Sequence, residues 1–532
     1  MTGLSAADHS TSPPAVIIPR DYNAAHDLVE RNLRAGRAGK TAFIDDQGSY
    51  TYAELAQRVN RAANALKGLG LAPESRVMMA HLDTIDFVAV YLGAIKAGIV
   101  PICGNTLLTG ADYEFMLNDS RAQALVVSDA LWPTFAPILD KLPFLAQVLV
   151  SGKDAHGRAS LQELMNRASA ECEPAATTSD DVCFWLYSSG STGTPKGVVH
   201  LHSHLIQTAE LYAKPVLGIR EDDVVFSAAK LFFAYGLGNS LTFPMSVGAT
   251  AVLMAERPTP ASVFARLKRD QPSIFYGVPT LYAALLASPD LPKRGELGLR
   301  VCTSAGEALP ADLGRRWTEH FGVEILDGLG STEMLHIFLS NWPGDVRYGS
   351  TGKAVPGYEL RVVDDANNPV KPGEIGELQI NGPTSAAGYW NNRARSRATF
   401  MGDWTRSGDK YTVDAEGYYT YSGRTDDMLK VGGIYVSPFE VEGALLTHPG
   451  VLEAAVIGQA DADGLIKPRA YIVTRQGVSG NEALAEELKQ HVKSKLAPYK
   501  YPRWVEFASE LPKTATGKIQ RFKLRAKSQS VK

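Results

Sequence analysis

The sequence predicts an α/β protein that also carries a small antiparallel β unit and a separate C-terminal segment. Short apolar runs recur between helical patterns, at Ala124–Val127, Val148–Val150, Val224–Ser227, Ala249–Met254, Ser273–Tyr276, Arg300–Thr303 and Glu324–Leu326. Most are apolar at every position, as in strands covered on both faces of a parallel sheet. After about Asn341 the texture changes. Glycine and turn dipeptides crowd "KPGEIGELQINGP", "AAGYWNN" and "DAEGYYTYSG", which reads as antiparallel β structure. Beyond "GRTDDMLKVGG" a further stretch has strand and helix signals of its own and is long enough for a small domain. A chain of 532 residues, 45% hydrophobic, exceeds what one core usually holds.

In order along the chain, the N-terminal "MTGLSAADHSTSPPAVIIPRDYNAA" has no basic stretch followed by an apolar one, so no secretory signal is expected. Thr51 and Glu54 form a capping box. Leu55, Val59, Ala62 and Leu66 then share a helical face that Gly68 can close. The most apolar run, Phe87 to Cys103, contains Lys96, Gly98 and Pro101, and reads as a buried helix feeding a strand rather than a membrane span. His200, His202 and His204 alternate as strand neighbours on one face would. Leu205, Thr208, Ala209 and Tyr212 nevertheless make a helical stripe, so the strand is expected to end near His202 and no metal is expected there. Cys103, Cys172, Cys183 and Cys302 are scattered without zinc spacing, which fits core thiols in a reducing, cytoplasmic setting. The net charge of −3 argues against nucleic acid or an anionic membrane as a global partner.

The stretch "LYSSGSTGTPKGVVH", Leu186 to His200, has almost nothing to bury. A Gly/Ser/Thr loop after a strand leaves backbone N–H groups and hydroxyls free to cradle phosphate, and Lys196 adds a mobile cation. It is not a Walker A loop. Counted from Gly190, Pro195 stands where glycine should precede the lysine, and Gly197 follows where Ser or Thr should bind magnesium. A flexible linker is the alternative, but apolar strands "CFWLY" and "GVVHL" flank the loop directly.

"YSSGSTGTPKG" resembles the phosphate loop of the adenylate-forming enzymes, the acyl- and aryl-CoA synthetases and their relatives. The other motifs appear in order: "SAGEAL", "DGLGSTE", "GELQINGP", "SGDKY", "GRTDDMLKVGG" and "PKTATGKIQR". Within that family "KLFFAYGLGNSL" and "GSTEMLHIF" are similar to the bacterial benzoate–CoA ligases. The resemblance implies two α/β sheet subdomains and a β-barrel-like subdomain in a large domain over residues 1–423. A hinge at 424–426, with Asp426 as its pivot, would lead to a small mobile α+β domain over 427–532.

The implied reaction joins a carboxylate to ATP, giving an acyl-adenylate and pyrophosphate, and then passes the acyl group to coenzyme A. The resemblance puts the β- and γ-phosphates on Ser188, Ser189, Gly190, Ser191, Thr192, Gly193 and Lys196. It puts magnesium on Glu333, at a helix start, and a phosphate oxygen on Thr332. Gly306, Glu307 and Ala308 would flank the adenine, with Asp327 and Gly328 in the same nucleotide site. Leu329 stands where many relatives carry a stacking aromatic. Asp409 and Arg424 would hold the ribose. Lys518 would bridge carboxylate and α-phosphate, against the blander reading of a solvated basic tail with Lys513, Arg521, Lys523 and Arg525. Lys430 would lie near the nucleotide, and Gly432 and Gly433 would line the tunnel for the thiol.

In the family, the stretch around Ala234 lines the acyl pocket. Ala234, Ala305 and Gly330 would leave a flat slot, with Tyr235 and Ile337 as walls and His336 at the far edge. Such a slot suits an unsubstituted aromatic carboxylate, because a ring hydroxyl without a partner would cost about 1–3 kcal/mol. Core packing is the competing account of Phe232 and Phe233. The expected partners are small molecules: benzoate or a similar aryl acid, ATP with Mg2+, and coenzyme A. A homodimer stays open. A lysine acetyltransferase acting on Lys518 would remove the charge adenylation needs. Two alternatives remain: an aryl-adenylating enzyme that loads a separate carrier protein, and a non-catalytic nucleotide binder on the same fold.

Overall fold

The computed structural model describes residues 3–189, 195–425, 427–431, 434–461, 465–513 and 519–529. The chain divides into two compact units. One comprises Met1–Glu359 and Asn381–Thr405, the other Leu360–Ile380 and Arg406–Lys532. The expected boundary at 424–426 lies within the second unit.

The first unit holds two large sheets among the described residues. One runs Gly388–Tyr389, Pro195–Leu201, Val182–Ser189, Val100–Cys103, Arg76–Ala80, Ala124–Ser128, Gln147–Ser151, Ala159–Ser160. Its strands pair in parallel from Val182–Ser189 onward, and Val182–Ser189 with Pro195–Leu201 forms an antiparallel hairpin. The other has Ile325–Gly330, Val301–Ser304, Ile274–Gly277, Val224–Ser227, Thr250–Val252 and Thr41–Ile44 as a parallel series. The antiparallel Ile337–Ser340 flanks that series at the Ile325–Gly330 edge. Every apolar run named from the sequence lies on one of these strands, with ends shifted by a few residues.

Local chemistry explains the best-marked helix, Tyr52–Gly68. Thr51 Oγ1 accepts from Glu54 N–H at 3.2 Å, and the Glu54 carboxylate accepts from Thr51 N–H at 2.7 Å. The helix runs through Gly68 instead of stopping there. Gly70, at φ +78, supplies the left-handed turn two residues later. Its apolar face meets Ile85–Lys96, whose residues are all buried. At Gly93 a β-carbon would lie 2.7 Å from Ala62 Cβ, so glycine permits the close helix approach. Val100–Cys103 follows as a strand, as the apolar run predicted. Among the described residues no helix is long and apolar enough to cross a membrane.

The second unit contains residues 406–413 of the strand Trp404–Val413, paired antiparallel with Tyr419–Arg424, an antiparallel pair of Leu429–Val431 and Ile434–Val436, and a sheet ordered Val451–Ala460, Ile466–Thr474, Trp504–Phe507. Helices Pro438–Leu446 and Glu482–Lys495 pack Val441, Leu445, Leu488 and Val492 onto one face of that last sheet. Leu511 and Leu524 meet Ile457 and Tyr471 in a second cluster. The mixed sheets and the antiparallel unit agree with the fold class that the sequence predicts.

Candidate active site

In the first unit, the hairpin brings Ser188 opposite Lys196 and Ser189 opposite Pro195. Gly190, Ser191, Thr192 and Gly193 lie outside the described residues, as does the Ser189 side chain. Ser188 Oγ is buried and has no hydrogen-bond partner among the described residues, so a donor is available to a phosphate. Lys196 Nζ lies 4.6 Å from the centre of the Tyr389 ring. The Tyr389 hydroxyl donates to Glu333 Oε1 at 2.8 Å. One aromatic side chain therefore links the hairpin's cation to the carboxylate expected to hold magnesium. Burial, with Glu333 beside it, keeps the Tyr389 phenol protonated.

Glu333 is not at a helix start. It sits in a tight turn between strands Ile325–Gly330 and Ile337–Ser340. Leu335 N–H reaches back to Thr332 O at 3.2 Å, His336 N–H reaches Met334 O at 2.8 Å, and Leu335 takes φ +67. A branched residue at positive φ needs surrounding structure to hold it. Nearby, Asp327 is buried, and its carboxyl is pushed well above the usual range by loss of solvent, opposed by a bond from Leu309 N–H at 3.4 Å. Gly306 turns out of strand Val301–Ser304 at φ +93, which keeps that position to glycine and sets the path of Glu307 and Ala308.

Of the residues expected at the acyl pocket, Tyr235 and Gly330 lie against His336. Burial pulls this imidazole down to about 3, so it is neutral at physiological pH. Its Nε2 faces Tyr235 O and Asn239 Oδ1, both at 3.2 Å and both acceptors, so Nε2 carries the proton. Nδ1 is then a bare acceptor, buried without a partner. The ring meets Phe243 edge-on at 4.5 Å and lies 5.6 Å from the rings of Tyr212 and Tyr235. Glycine makes room on both sides. A β-carbon at Gly238 would come 2.4 Å from His336 Cδ2, and one at Gly330 would come 2.7 Å from His336 O. Tyr235 OH is fixed by Thr303 Oγ1 at 2.5 Å. Ala305 and Ile337 are buried. Phe232 and Phe233 pack on each other at 4.5 Å.

Several contributors escape the sequence reading. Asn239 lies four residues after Tyr235, a helical spacing that could have marked it. Thr303 and Gly238 carry no local signal. Asp83 accepts from Leu231 N–H at 3.1 Å and so braces the segment leading to Ala234, from far away in sequence. Leu201 ends the hairpin strand and His202 opens the next helix, so the three histidines do not share a strand face. His202 Nδ1 accepts from Ala24 N–H at 3.1 Å. His200 Nδ1 meets His204 Nδ1 at 3.0 Å, and His200 Nε2 meets Thr332 O at 2.8 Å. Burial lowers all three, His200 and His202 to about 4.

In the second unit, Asp409 and Arg424 face each other across paired strands, and Arg424 Nη1 donates to Asp409 Oδ1 at 3.0 Å. Acceptor and planar donor are thus presented side by side. Lys430 lies on the strand Leu429–Val431, with its side chain outside the described residues, as are Asp426, Gly432, Gly433 and Lys518. The basic residues around Lys518 are not all solvated: Lys523 is exposed, but three others have acidic partners. Arg521 is buried, donating from Nη2 to both Glu442 oxygens at 2.8 Å, with its guanidinium 4.3 Å from the Phe439 ring centre. Arg525 pairs with Asp427 at 2.7 Å and Lys513 with Glu453 at 2.6 Å.

The model of the AMP-binding enzyme family matches residues 29–390, and that of the AMP-binding enzyme C-terminal domain matches residues 440–518. The chain is 66% identical over 528 residues to a benzoate–CoA ligase of Thauera aromatica, covering 99% of this chain and 100% of the relative. It is 51% identical over 512 residues to a 4-hydroxybenzoate–CoA/benzoate–CoA ligase of Rhodopseudomonas palustris, covering 95% and 94%. A crystal structure of a benzoate CoA ligase from Burkholderia xenovorans LB400 matches with a TM-score of 0.88 at 56% identity, covering 95% of this chain and 100% of that one.

Proposed function

The chain belongs to the AMP-binding enzyme family, and on that premise we propose that it is an ATP-dependent, AMP-forming carboxylate–CoA ligase whose acid is benzoate. In the first step a carboxylate oxygen attacks the α-phosphorus, the bond to the bridging oxygen breaks, and pyrophosphate leaves. In the second step the CoA sulfur attacks the acyl carbon, the bond to the phosphate oxygen breaks, and AMP leaves.

The first step brings an anion to a polyanion, so the residues must supply fixed donors and positive charge. Ser188, with its unpartnered hydroxyl, and Lys196 serve the β- and γ-phosphates. Glu333 would hold Mg2+, and Thr332 takes a phosphate oxygen. A single hard carboxylate suits an ion that keeps waters and phosphate oxygens as its other ligands, and the bound ion supplies charge neutralisation on the leaving pyrophosphate. Asp409 and Arg424 take the ribose hydroxyls, while Gly306–Ala308, Asp327 and Gly328 frame the base. Lys518 bridges carboxylate and α-phosphate, and its acetylation would silence adenylation. Lys430, Gly432 and Gly433 serve the thiol step after rotation at Asp426. Two features support a pivot there: Arg424 is tied to Asp409, whereas Asp427 is tied to Arg525 on the C-terminal helix. Four free cysteines support a cytoplasmic setting.

The observation that carries benzoate as the acid is the His336 wall, with Phe243 edge-on against it, the Tyr212 and Tyr235 rings beside it and room secured by Gly238 and Gly330. A second reading, 4-hydroxybenzoate, draws on the bare His336 Nδ1, which could accept from a ring hydroxyl. CoA-ligase assays across benzoate, fluoro-, amino- and hydroxybenzoates, cinnamate and short fatty acids test both. Benzoate should have the highest kcat/KM. Equal or greater kcat/KM for a medium-chain fatty acid would overturn the aryl pocket, and benzoate-dependent pyrophosphate exchange without CoA-dependent release of AMP would favour a carrier-loading enzyme.

A further inference from the structure

Three consecutive carbonyls of the Glu333 turn are each held from outside it. Met334 O accepts from Thr384 Oγ1 at 2.7 Å, Glu333 O from Ala386 N–H at 2.8 Å, and Thr332 O from His200 at 2.8 Å. The imidazole is fully buried and stacks on Phe184, ring centres 5.2 Å apart and 20° from parallel. A carbonyl can only accept, so His200 Nε2 bears the proton. His200 Nδ1 lies 3.0 Å from Nδ1 of His204, which itself accepts from Leu201 N–H at 3.4 Å. His200 lies four residues beyond Lys196 on one strand, hence on the same face. That strand reaches the turn twice, through Lys196, Tyr389 and the Glu333 carboxylate, and through His200 and the Thr332 carbonyl.

We infer that His200 is a positioning residue for adenylation: its hydrogen bond to the Thr332 carbonyl sets the turn that presents Thr332 and Glu333 to the nucleotide phosphates and their magnesium ion. This rests on the ligase reading above. Partners that orient a metal ligand typically matter 10- to 100-fold in affinity or rate. The bond to Thr332 is what counts, so a side chain with an N–H at the Nε2 position should replace the imidazole.

The test uses the full chain with His200→Gln, which places an amide N–H near Nε2, and His200→Asn, which is too short to reach Thr332 O. His200→Leu removes the donor altogether. Three quantities are compared: ATP affinity with and without Mg2+ by calorimetry, benzoate-dependent ATP–pyrophosphate exchange against Mg2+ concentration, and thioester formation from supplied benzoyl-adenylate and CoA. The Asn and Leu proteins should lose roughly 10- to 100-fold in exchange and need more Mg2+. Their KM for benzoate and their thioester step should stay at wild-type values, and Gln should recover most of the exchange. If the Leu protein does not fold, the Gln–Asn pair still decides the matter. Equal exchange by Gln and Asn, or equal loss of both half-reactions, would overturn the inference. A wild type without exchange on any acid would sink the ligase reading alone. The positioning role would then stand or fall on whether Mg2+ tightens ATP binding less in the Asn protein than in the Gln protein.

Discussion

Gly330→Ala asks whether the slot beside His336 is as tight as the structure makes it. Gly330 pairs with Ile337 across an irregularity in the Ile325–Gly330 hairpin. A β-carbon there would lie 2.7 Å from His336 O, 2.8 Å from His336 C and 3.0 Å from Ile337 N. All three neighbours are backbone, so no side-chain rotation relieves the overlap, and the His336–Ile337 segment must move. His336 has little slack. Its two Nε2 contacts are already 3.2 Å long, and Gly238 closes off the far side of the ring. Movement either breaks those contacts or drives the ring into the space for the acyl group. Overpacking of this kind costs about 1–3 kcal/mol. Borne by the pocket, that cost lowers kcat/KM for benzoate roughly 5- to 150-fold. The assay is benzoyl-CoA formation at saturating ATP and CoA, with KM for ATP and a melting curve as controls. An alanine protein with wild-type kcat/KM and an unchanged melting temperature would show that Gly330 does not border the ring.

Three further outcomes are expected. Burial raises the Asp83 carboxyl to about 6, opposed by Lys230 and by Leu231 N–H, so the folded state prefers its protonated form. Wild-type stability should therefore fall by about 3 kcal/mol as pH rises from the unfolded value through 6. Asp83→Asn, which keeps an acceptor for Leu231, should melt higher than wild type at pH 8 but not at pH 4; a pH-independent difference in melting temperature would contradict this. Lys518→Ala should lower benzoate-dependent pyrophosphate exchange by roughly 10²–10³ while sparing thioester formation from benzoyl-adenylate; equal loss of both would make the lysine structural. Asp426→Pro, with φ locked near −65°, should retain pyrophosphate exchange and lose thioester formation, and an undiminished thioester rate would place the hinge elsewhere.

The parts legible in the chain alone are those encoded over short distances. The Thr51–Glu54 box, the buried helix and strand within Phe87–Cys103, the hairpin around Lys196 and the Asp409–Arg424 motifs each depend on neighbours within a turn, a strand pair or a family pattern. Boundaries and directions were less legible. Glu333 sits in a turn rather than at a helix start because Thr384, Ala386 and His200 hold its backbone, and none of these lies near it in sequence. A solvated tail is the competing reading of the basic residues around Lys518, because charge runs usually are solvated, yet Arg521 finds Glu442 79 positions away and leaves water. The His200–Thr332 bond spans 132 positions and the Asp83–Leu231 bond 148. Such contacts depend on which strands become neighbours and in what register. A window of sequence records the propensity of its own residues, whereas the partner of a buried polar group is chosen only when the sheets close and every group excluded from water must find one.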